Sequence, residues 1–396
     1  MMTTLFHSVL LLASTAILGL TLPGTIELLA LTLAALFRRQ DPVVARSESP
    51  LPRLVVVVPA HNEADGIAAC IANLQASLNK TTGCDLVVIA DNCRDDTAER
   101  AMNAGARVLI RHDEVNRGKG YALDYAFTRL LAENYDGFLV IDADSRVDEQ
   151  LISAFQYAFA QGADALQCRY RIANPDASRR ARLQHIAWLA FNELRLSGRE
   201  KLQVSVGILG NGFALSRAVL EAVPYEAGSI AEDMEYHLRL VNAGYKVRFL
   251  DSVSVYSDAP NQDANAAVQR TRWEGGRFRL IIDHVPALLM AVLRGKRNLL
   301  EPLAELLLLP LAYHVLLLLM ALLIPVTLLH YYAAAALLVV VAHVLIAVRL
   351  GGGGLADIKT LATVPFYIVW KLTLLPRLWR NARENAPWQR TDRENS

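Results

Sequence analysis

Asp142 and Asp144 are the residues whose types and spacing point most directly to chemistry. They stand two residues apart after an apolar run, so one carboxylate can reach a divalent cation while the other anchors a neighbouring polar group. Carboxylate oxygens with room for water and phosphate are what Mg²⁺ or Mn²⁺ requires. The alternative is an acidic turn, because an Asp-x-Asp pair alone is a weak signal. The apolar strand before the pair strengthens the metal interpretation.

A second acidic point, Glu232-Asp233, lies between a glycine-rich stretch and a helical run over residues 234–243. A carboxylate there can cap the helix. It can also act as a general base, since removing the proton of a hydroxyl group needs a fixed carboxylate within hydrogen-bond reach. Taken alone, the pair favours the cap.

The third cluster is Gln269-Arg-Thr-Arg-Trp273. Arg272 can bind a diphosphate with two parallel hydrogen bonds, and Trp273 offers an apolar face on which a sugar ring can stack. The alternative is a basic and aromatic anchor at a membrane surface. Judged on its own, the cluster favours that anchor.

Strands and helices alternate with short connections in the first half of the chain. Predicted strands cover residues 54–58, 85–90, 107–110 and 137–141, and predicted helices cover 68–78, 97–104 and 120–133. This alternation predicts a parallel sheet covered on both faces, in which ligands bind at the carboxyl ends of the strands. Polar clusters begin at those ends with His61, Asp91 and Asp142.

The composition places the chain with membrane proteins. Of 396 residues, 53% are hydrophobic and 20% are charged, against roughly 45–50% and about 25% in soluble domains. This apolar content excludes disorder. A net charge of +1 excludes nucleic-acid binding by bulk charge.

Three apolar stretches carry the excess, at residues 8–37, 306–329 and 331–348. A helix needs about 20 apolar residues to cross a bilayer, so the second and third predict spans joined by a tight turn near 325–330. The first predicts one span kinked at Pro23–Gly24, with a re-entrant portion as the alternative. A cleaved signal peptide is disfavoured because no Lys or Arg precedes the run. Glu27 is costly in lipid and should face protein or a polar pocket.

Arginines and lysines flank these stretches on one side, so the positive-inside rule predicts that residues 38–297 and the C-terminal tail are cytoplasmic. Segments 279–294 and 361–379 predict amphipathic helices on the cytoplasmic leaflet; a fourth span is the alternative for the latter, and Lys371 opposes it.

The predicted domains are an N-terminal membrane segment (1–37), a linker (38–53), a cytoplasmic α/β domain (54–278), an interfacial helix (279–300), two transmembrane helices (301–349), and a hinge, interfacial helix and cytoplasmic tail (350–396). Four cysteines in the cytoplasmic block lack metal-ligand spacing and predict reduced thiols.

The order of the motifs is far more specific than any one of them. They are Pro59-Ala-His-Asn-Glu63, the cluster at Asp91, Asn116-Arg-Gly-Lys119, Asp142-Ala-Asp144, Gly210-Asn-Gly212, Glu232-Asp233 and Gln269-Arg-Thr-Arg-Trp273. Together they resemble membrane-integrated family 2 glycosyltransferases, a group that includes cellulose, chitin, hyaluronan and poly-N-acetylglucosamine synthases and related bacterial exopolysaccharide enzymes. The resemblance covers residues 54–280 and the flanking membrane segments.

The resemblance implies a GT-A fold, a Rossmann-like and mostly parallel sheet, and a UDP-sugar donor. It assigns Asp233 as the general base with Glu232 beside it, and Asp144 as the ligand of Mg²⁺ or Mn²⁺. The implied donor-binding residues are Pro59, His61, Glu63, Asp91, Lys119, Asp142 and Arg272, with Asp91 contacting the uracil. The implied acceptor-binding residues are Gly210, Asn211, Gly212, Gln269 and Trp273.

A single displacement by an acceptor hydroxyl would invert the sugar's anomeric centre. Two departures from the synthases bear on the acceptor: no F-x-V-T-x-K loop follows Trp273, and about three spans cannot enclose a polymer conduit. We therefore expect an inner-membrane enzyme of bacterial cell-surface or exopolysaccharide synthesis that uses a lipid-linked saccharide. One alternative is a processive synthase acting as a homo-oligomer or with a partner subunit. The other is a non-catalytic nucleotide-sugar-binding scaffold.

Overall fold

A computed structural model describes residues 2–37, 51–226, 231–259 and 263–372, with side chains for all of these except 2–4, 263–274 and 369–372. Most of the predicted linker, the tail beyond residue 372 and the side chains of Gln269, Arg272 and Trp273 therefore lie outside the described part of the chain. Within it, the cysteines are free thiols, as predicted.

One sheet organises the block between the apolar helices. Its strands are β1 (Leu54–Ala60), β2 (Cys84–Asp91), β3 (Arg107–Arg111), β4 (Gly137–Val140), β5 (Arg146–Val147), β6 (Ala165–Ile172), β7 (Phe213–Ser216) and β8 (Val247–Ser257). The spatial order is β3-β2-β1-β4-β7-β6-β8-β5. The first four strands are mutually parallel, whereas β7 runs antiparallel to both of its neighbours, so the sheet is mixed.

Helices cover the sheet on both faces, which explains the continuous apolar run of β1. They are α2 (Ile67–Leu78), α3 (Thr97–Asn103), α4 (Lys119–Leu130), α5 (Leu151–Ala160), α6 (Arg179–Trp188), a π-helical turn (Leu189–Leu194), α7 (Arg195–Lys201), α8 (Arg217–Ala222) and α9 (Glu232–Asn242). Val56 and Val58 pack with Ile71 of α2 on one face. Val57 packs with Phe127 of α4 on the other.

The apolar helices flank this block in sequence. They are α1 (Met2–Leu36), α10 (Asp263–Leu293), a 3₁₀ turn (Arg297–Leu299), α11 (Leu300–Leu307), α12 (Leu311–Ala321), α13 (Thr327–Leu350), α14 (Leu355–Leu361) and α15 (Val364–Leu372). Within the described residues, two helices are long and apolar enough to cross a membrane, Leu5–Leu36 and Thr327–Leu350.

The flanking apolar helices differ from the prediction in one place. The stretch predicted as the second span is broken, because α11 and α12 bend by 71° at a short break that contains Pro310. Helix α1 runs through Pro23 as one helix, as a single span requires, and its kink at Pro23–Gly24 stays a prediction. Hydroxyls of Thr21 and Thr25 donate to carbonyls one turn earlier in α1.

Candidate active site

The parallel register brings the polar ends of three strands to one edge of the sheet. Ala60 of β1 pairs with Ala90 of β2, and Val57 pairs with Val140 of β4. His61, Asp91 and Asp142 therefore leave the sheet on the same side, as the alternation of strands and helices predicted.

Asp91 is held by an arginine that the sequence reasoning missed. Arg111 Nη1 donates to Asp91 Oδ1 at 2.7 Å, and both side chains are buried. Arg111 Nη2 donates to Asp113 Oδ2 at 2.9 Å. Asp91 and Arg111 are neighbours in the register of β2 and β3. Aligning the two predicted strands could therefore have revealed this ion pair from the sequence. The contact is a charge-assisted hydrogen bond from the guanidinium to the Asp91 carboxylate.

Backbone contacts fix the loop after β1 against the loop after β2. His61 Nδ1 lies 2.7 Å from the Asp91 carbonyl oxygen; a carbonyl only accepts, so Nδ1 carries the proton. The Glu63 N–H donates to Thr97 Oγ1 at 2.8 Å. Asn62 has a φ of 55°, in the left-handed region that asparagine tolerates. Pro59 lies within β1 itself. These bonds order the edge at which His61 and Glu63 are predicted to meet a donor.

Lys119 joins the Asp142 end of the sheet to a glycine loop. Its Nζ donates to Asp142 Oδ1 and, at 2.5 Å, to the Gly210 carbonyl oxygen. Gly210 has a φ of +79°, and a Cβ placed on it would lie 3.1 Å from Asp233 Oδ2. Asp142, Lys119, Gly210 and Asp233 therefore surround one small volume, although they come from four separate segments of the chain.

Asp233 lies in the first turn of α9 and is not the helix cap. The capping position is Ala231, which has no side-chain cap bond. Asp233 Oδ1 accepts the Met234 N–H at 2.8 Å. Burial raises the pKa of Asp233, whereas the Met234 N–H and the Lys119 ammonium oppose the rise. A raised pKa makes the carboxylate a stronger base for a hydroxyl proton.

Asn211 and Gly212 anchor the same loop behind Asp142. Asn211 is buried; its Oδ1 accepts the Asp142 N–H at 3.1 Å and its Nδ2 donates to Ser145 Oγ at 2.8 Å. Gly212 has a φ of +67°, and an added Cβ would lie 2.5 Å from Cys168 Sγ. Only glycine fits there. The contact of this loop with an acceptor stays a prediction.

Asp144 offers a carboxylate that fits a hydrated divalent cation. It is half-buried, and Ser145 Oγ donates to its Oδ1 at 3.4 Å. No group of three or more His, Cys, Asp and Glu side chains gathers as a metal site in the parts of the chain that the structure describes. Since Asp142 is bonded to Lys119, an ion on Asp144 would take its other ligands from water and a diphosphate, as Mg²⁺ and Mn²⁺ commonly do.

Four further predicted site residues lie at the start of α9 and in α10. Glu232 is half-buried at the start of α9. Gln269, Arg272 and Trp273 lie in the N-terminal half of α10, where side chains are outside the described part.

Known proteins share sequence with this chain over part of its length. Residues 137–350 match the family described as Glycosyl transferase family group 2. The probable glycosyltransferase YdaM of Bacillus subtilis is 24% identical over 255 residues, which cover 62% of this chain and 60% of that protein. The low-salt glycan biosynthesis hexosyltransferase Agl6 of Haloferax volcanii is 38% identical over 109 residues, 27% of this chain and 25% of its own. The chain thus spans three fifths or less of either relative.

A solved structure is similar over nearly the whole chain. The mannosyltransferase PcManGT of Pyrobaculum calidifontis, determined in complex with GDP-Man and Mn²⁺, has a TM-score of 0.57 and 18% identity, covering 96% of this chain and 99% of that one. At this identity the likeness concerns the fold. With the mixed Rossmann-like sheet described above, it confirms the predicted GT-A architecture.

Proposed function

The chain belongs to glycosyl transferase family group 2, and we propose that it transfers a sugar, with inversion, from a UDP-sugar to a lipid-linked saccharide at a bacterial inner membrane. The observation that carries the proposal is the volume bounded by Asp142, Lys119, Gly210 and Asp233. It combines a carboxylate with a raised pKa and a fixed ammonium group, which are the groups that proton removal and diphosphate departure require.

In the proposed reaction Asp233 takes the proton of an acceptor hydroxyl. The hydroxyl oxygen forms a bond to C1 of the donor sugar while the bond from C1 to the diphosphate oxygen breaks. The departing electron pair stays on UDP, and attack from the opposite face inverts C1. Lys119 and Arg272 hold the diphosphate side, and a cation on Asp144 would add positive charge there. Glu232 supports the base at the start of α9.

The donor's base would be read by Asp91. The Asp91 carboxylate, paired with Arg111, accepts hydrogen bonds, so it suits a base that presents a ring N–H. Uracil presents one at N3 and guanine at N1, whereas cytosine presents none. His61, Pro59 and Glu63 would line the same pocket. Because the mannosyltransferase from Pyrobaculum calidifontis was solved with GDP-Man, GDP-sugars are the natural comparison in any donor test.

The acceptor would lie at the membrane side of the domain. Two apolar helices of spanning length flank the catalytic block, and α10 exposes Phe278, Ile282 and Leu293 in a helical stripe. Membrane lipids would contact that stripe, and a lipid-linked saccharide would present its hydroxyl to Asp233 between Gly210–Gly212 and Gln269–Trp273. A growing polysaccharide held by an oligomer is the alternative acceptor.

The decisive experiment is a donor screen on the full chain in lipid nanodiscs. Release of nucleoside diphosphate is measured from UDP-sugars and GDP-sugars with Mg²⁺, Mn²⁺ or EDTA, and the lipid fraction is then analysed by mass. We expect release from a UDP-sugar that needs the metal and adds one sugar to lipid. A product ladder supports a processive synthase instead. Absence of release from every donor overturns the enzyme proposal in favour of a binding scaffold.

A further inference from the structure

Gln167 of β6 is fully buried, and the described hydrogen bonds of its side chain run to the glycine loop or to its own strand. Its Oε1 accepts the Leu209 N–H at 2.8 Å. Its Nε2 donates to the carbonyl oxygens of Asn211 at 2.9 Å, Cys168 at 3.0 Å and Gly212 at 3.2 Å. One amide group thus satisfies backbone on both sides of Gly210.

The loop needs such a partner where it has no strand neighbour: Gly212 pairs with Val140 and Cys168 through its backbone, but the Leu209 N–H and the Asn211 carbonyl oxygen bond to the Gln167 side chain instead. Gly207, Gly210 and Gly212 all have positive φ, at 93°, 79° and 67°. Buried N–H and C=O groups left without partners are costly. A glutamine side chain carries the same donor and acceptor as a peptide group, so it can replace the missing strand neighbour.

Gln167 bonds the residues on either side of Gly210. The Gly210 carbonyl oxygen between them also holds Lys119. That carbonyl accepts from Lys119 Nζ at 2.5 Å, and the Gly210 Cα faces Asp233. If the loop moved, Lys119 would lose one of its two bonds and turn about Asp142.

We propose, on the premise of the transfer reaction above, that Gln167 is a positioning residue: it holds the Gly210 carbonyl where that carbonyl orients Lys119 between Asp142 and Asp233. Gln167 itself touches no substrate. Its function is to keep the Lys119 ammonium and the Asp233 carboxylate at a fixed position relative to each other.

The chain offers a matched control in Gln156 of α5. Its side chain is also fully buried, and its Nε2 donates to the carbonyl oxygens of Pro52 at 3.0 Å and Thr82 at 2.9 Å. Neither residue belongs to the site. Gln156→Met therefore removes a buried amide that makes two hydrogen bonds, fewer than Gln167 makes, and leaves the glycine loop untouched.

Gln167→Met and Gln156→Met are compared in the full chain in nanodiscs. For Gln167→Met we expect kcat for nucleoside diphosphate release to fall by about 100-fold, the scale of a displacement of about 1 Å at a catalytic site, with a much smaller change in the donor KM. Gln156→Met should keep both parameters within about threefold of the parent while its melting temperature falls. Equal losses of kcat in the two variants would overturn the proposal.

Amide hydrogen exchange provides a readout that needs no turnover. Exchange of the backbone amides at 207–212 should be at least about tenfold faster in Gln167→Met and unchanged in Gln156→Met. If the parent protein releases nucleotide from no donor, the proposed function fails while exchange still tests the positioning. Unchanged exchange of the loop amides in Gln167→Met overturns the positioning role of Gln167. Should that variant not fold, Gln167→Asn, which shortens the amide by one methylene, is expected to give the same local increase.

Discussion

Two clusters of charged side chains in this molecule are built in opposite ways. At the sheet edge, the pair between Lys119 and Asp142 keeps 22% and 29% of its side-chain surface exposed. Beside α1 and α11, Arg199 is only 2% exposed, with Glu301 Oε1 at 2.8 Å and Glu305 Oε2 at 2.6 Å. The first cluster has one face left for a charged ligand, whereas the second is closed by its own partners. In these two clusters, exposure rather than charge therefore decides whether a charged ligand can enter.

The closed cluster joins the first apolar helix to the catalytic block. Glu27 of α1 lies 2.7 Å from Arg195 and 3.2 Å from Arg199, which confirms that this carboxylate faces protein. Gly198 lies between the two arginines, and a Cβ on it would collide with the Leu31 backbone. Glycine thus lets α7 approach α1 closely enough for the ion pairs to form. Burial makes these pairs a poor source of stability but a strict constraint on geometry.

The largest effect is expected from the open cluster. Asp233→Asn removes the base without changing shape, so transfer should fall by about 10²- to 10⁴-fold while UDP binding stays nearly intact. Turnover is measured as UDP release and binding by calorimetry. Glu235→Gln, in the same helical turn, is the control and should retain transfer. Loss of UDP binding in Asp233→Asn, or unchanged turnover, contradicts the assignment.

The closed cluster is probed by Arg199→Met. Removing the cation leaves three glutamates around an apolar side chain, and breaking a buried pair of this kind costs about 3–5 kcal/mol. The measurement is the denaturation midpoint in detergent. Arg279→Met is the matched control, because the pair of Arg279 with Asp283 is 52% and 42% exposed and is expected to contribute less than about 1 kcal/mol. Similar midpoints for the two variants would remove the distinction between closed and open charges.

How well the sequence predicts a feature depends on how far apart along the chain its contacting residues lie. β1 to β4 follow one another with their polar ends in place, so local patterns predicted them and the positions of Asp91 and Asp142. β7 inserts antiparallel between β4 and β6, and no local pattern specifies that neighbour.

The same limit applies to single residues. Gln167 bonds a loop more than 40 residues away, and Lys119 reaches Gly210 across 91 positions. Their residue types are ordinary for a strand or a helix start, so only the folded chain reveals their partners. The neighbours of Asp233 in the sequence favoured a helix cap. Its assignment as the base came from the order of the motifs along the chain.

A smaller effect, on the free energy of unfolding, is expected where neighbouring atoms leave no room for a Cβ. Gly212→Ala would place a Cβ 2.5 Å from Cys168 Sγ and 2.6 Å from Val255 Cγ1 at a φ of +67°. Overpacking and backbone strain of this kind cost about 1–3 kcal/mol each. Gly207→Ala is the control: its φ is +93°, and nothing lies within 4 Å of the new Cβ. The difference in unfolding free energy between the variants measures the contacts alone; a difference of zero would show that the loop behind Asp142 can yield.

The smallest effect is a shift in pH dependence. Asp233 acts as a base only when deprotonated, and burial raises its pKa, so kcat should fall on acidification at a pH above the value of about 3.9 for a free aspartate. The Lys119 ammonium lowers this pKa and the Asp142 carboxylate raises it. Lys119→Met should therefore move the acidic limb of the kcat profile to higher pH, besides lowering its plateau. Lys80→Met, which breaks only the exposed pair with Glu149, should leave the limb in place. A limb that stays put or moves to lower pH in Lys119→Met would mean that Asp233 is not under the field of this lysine.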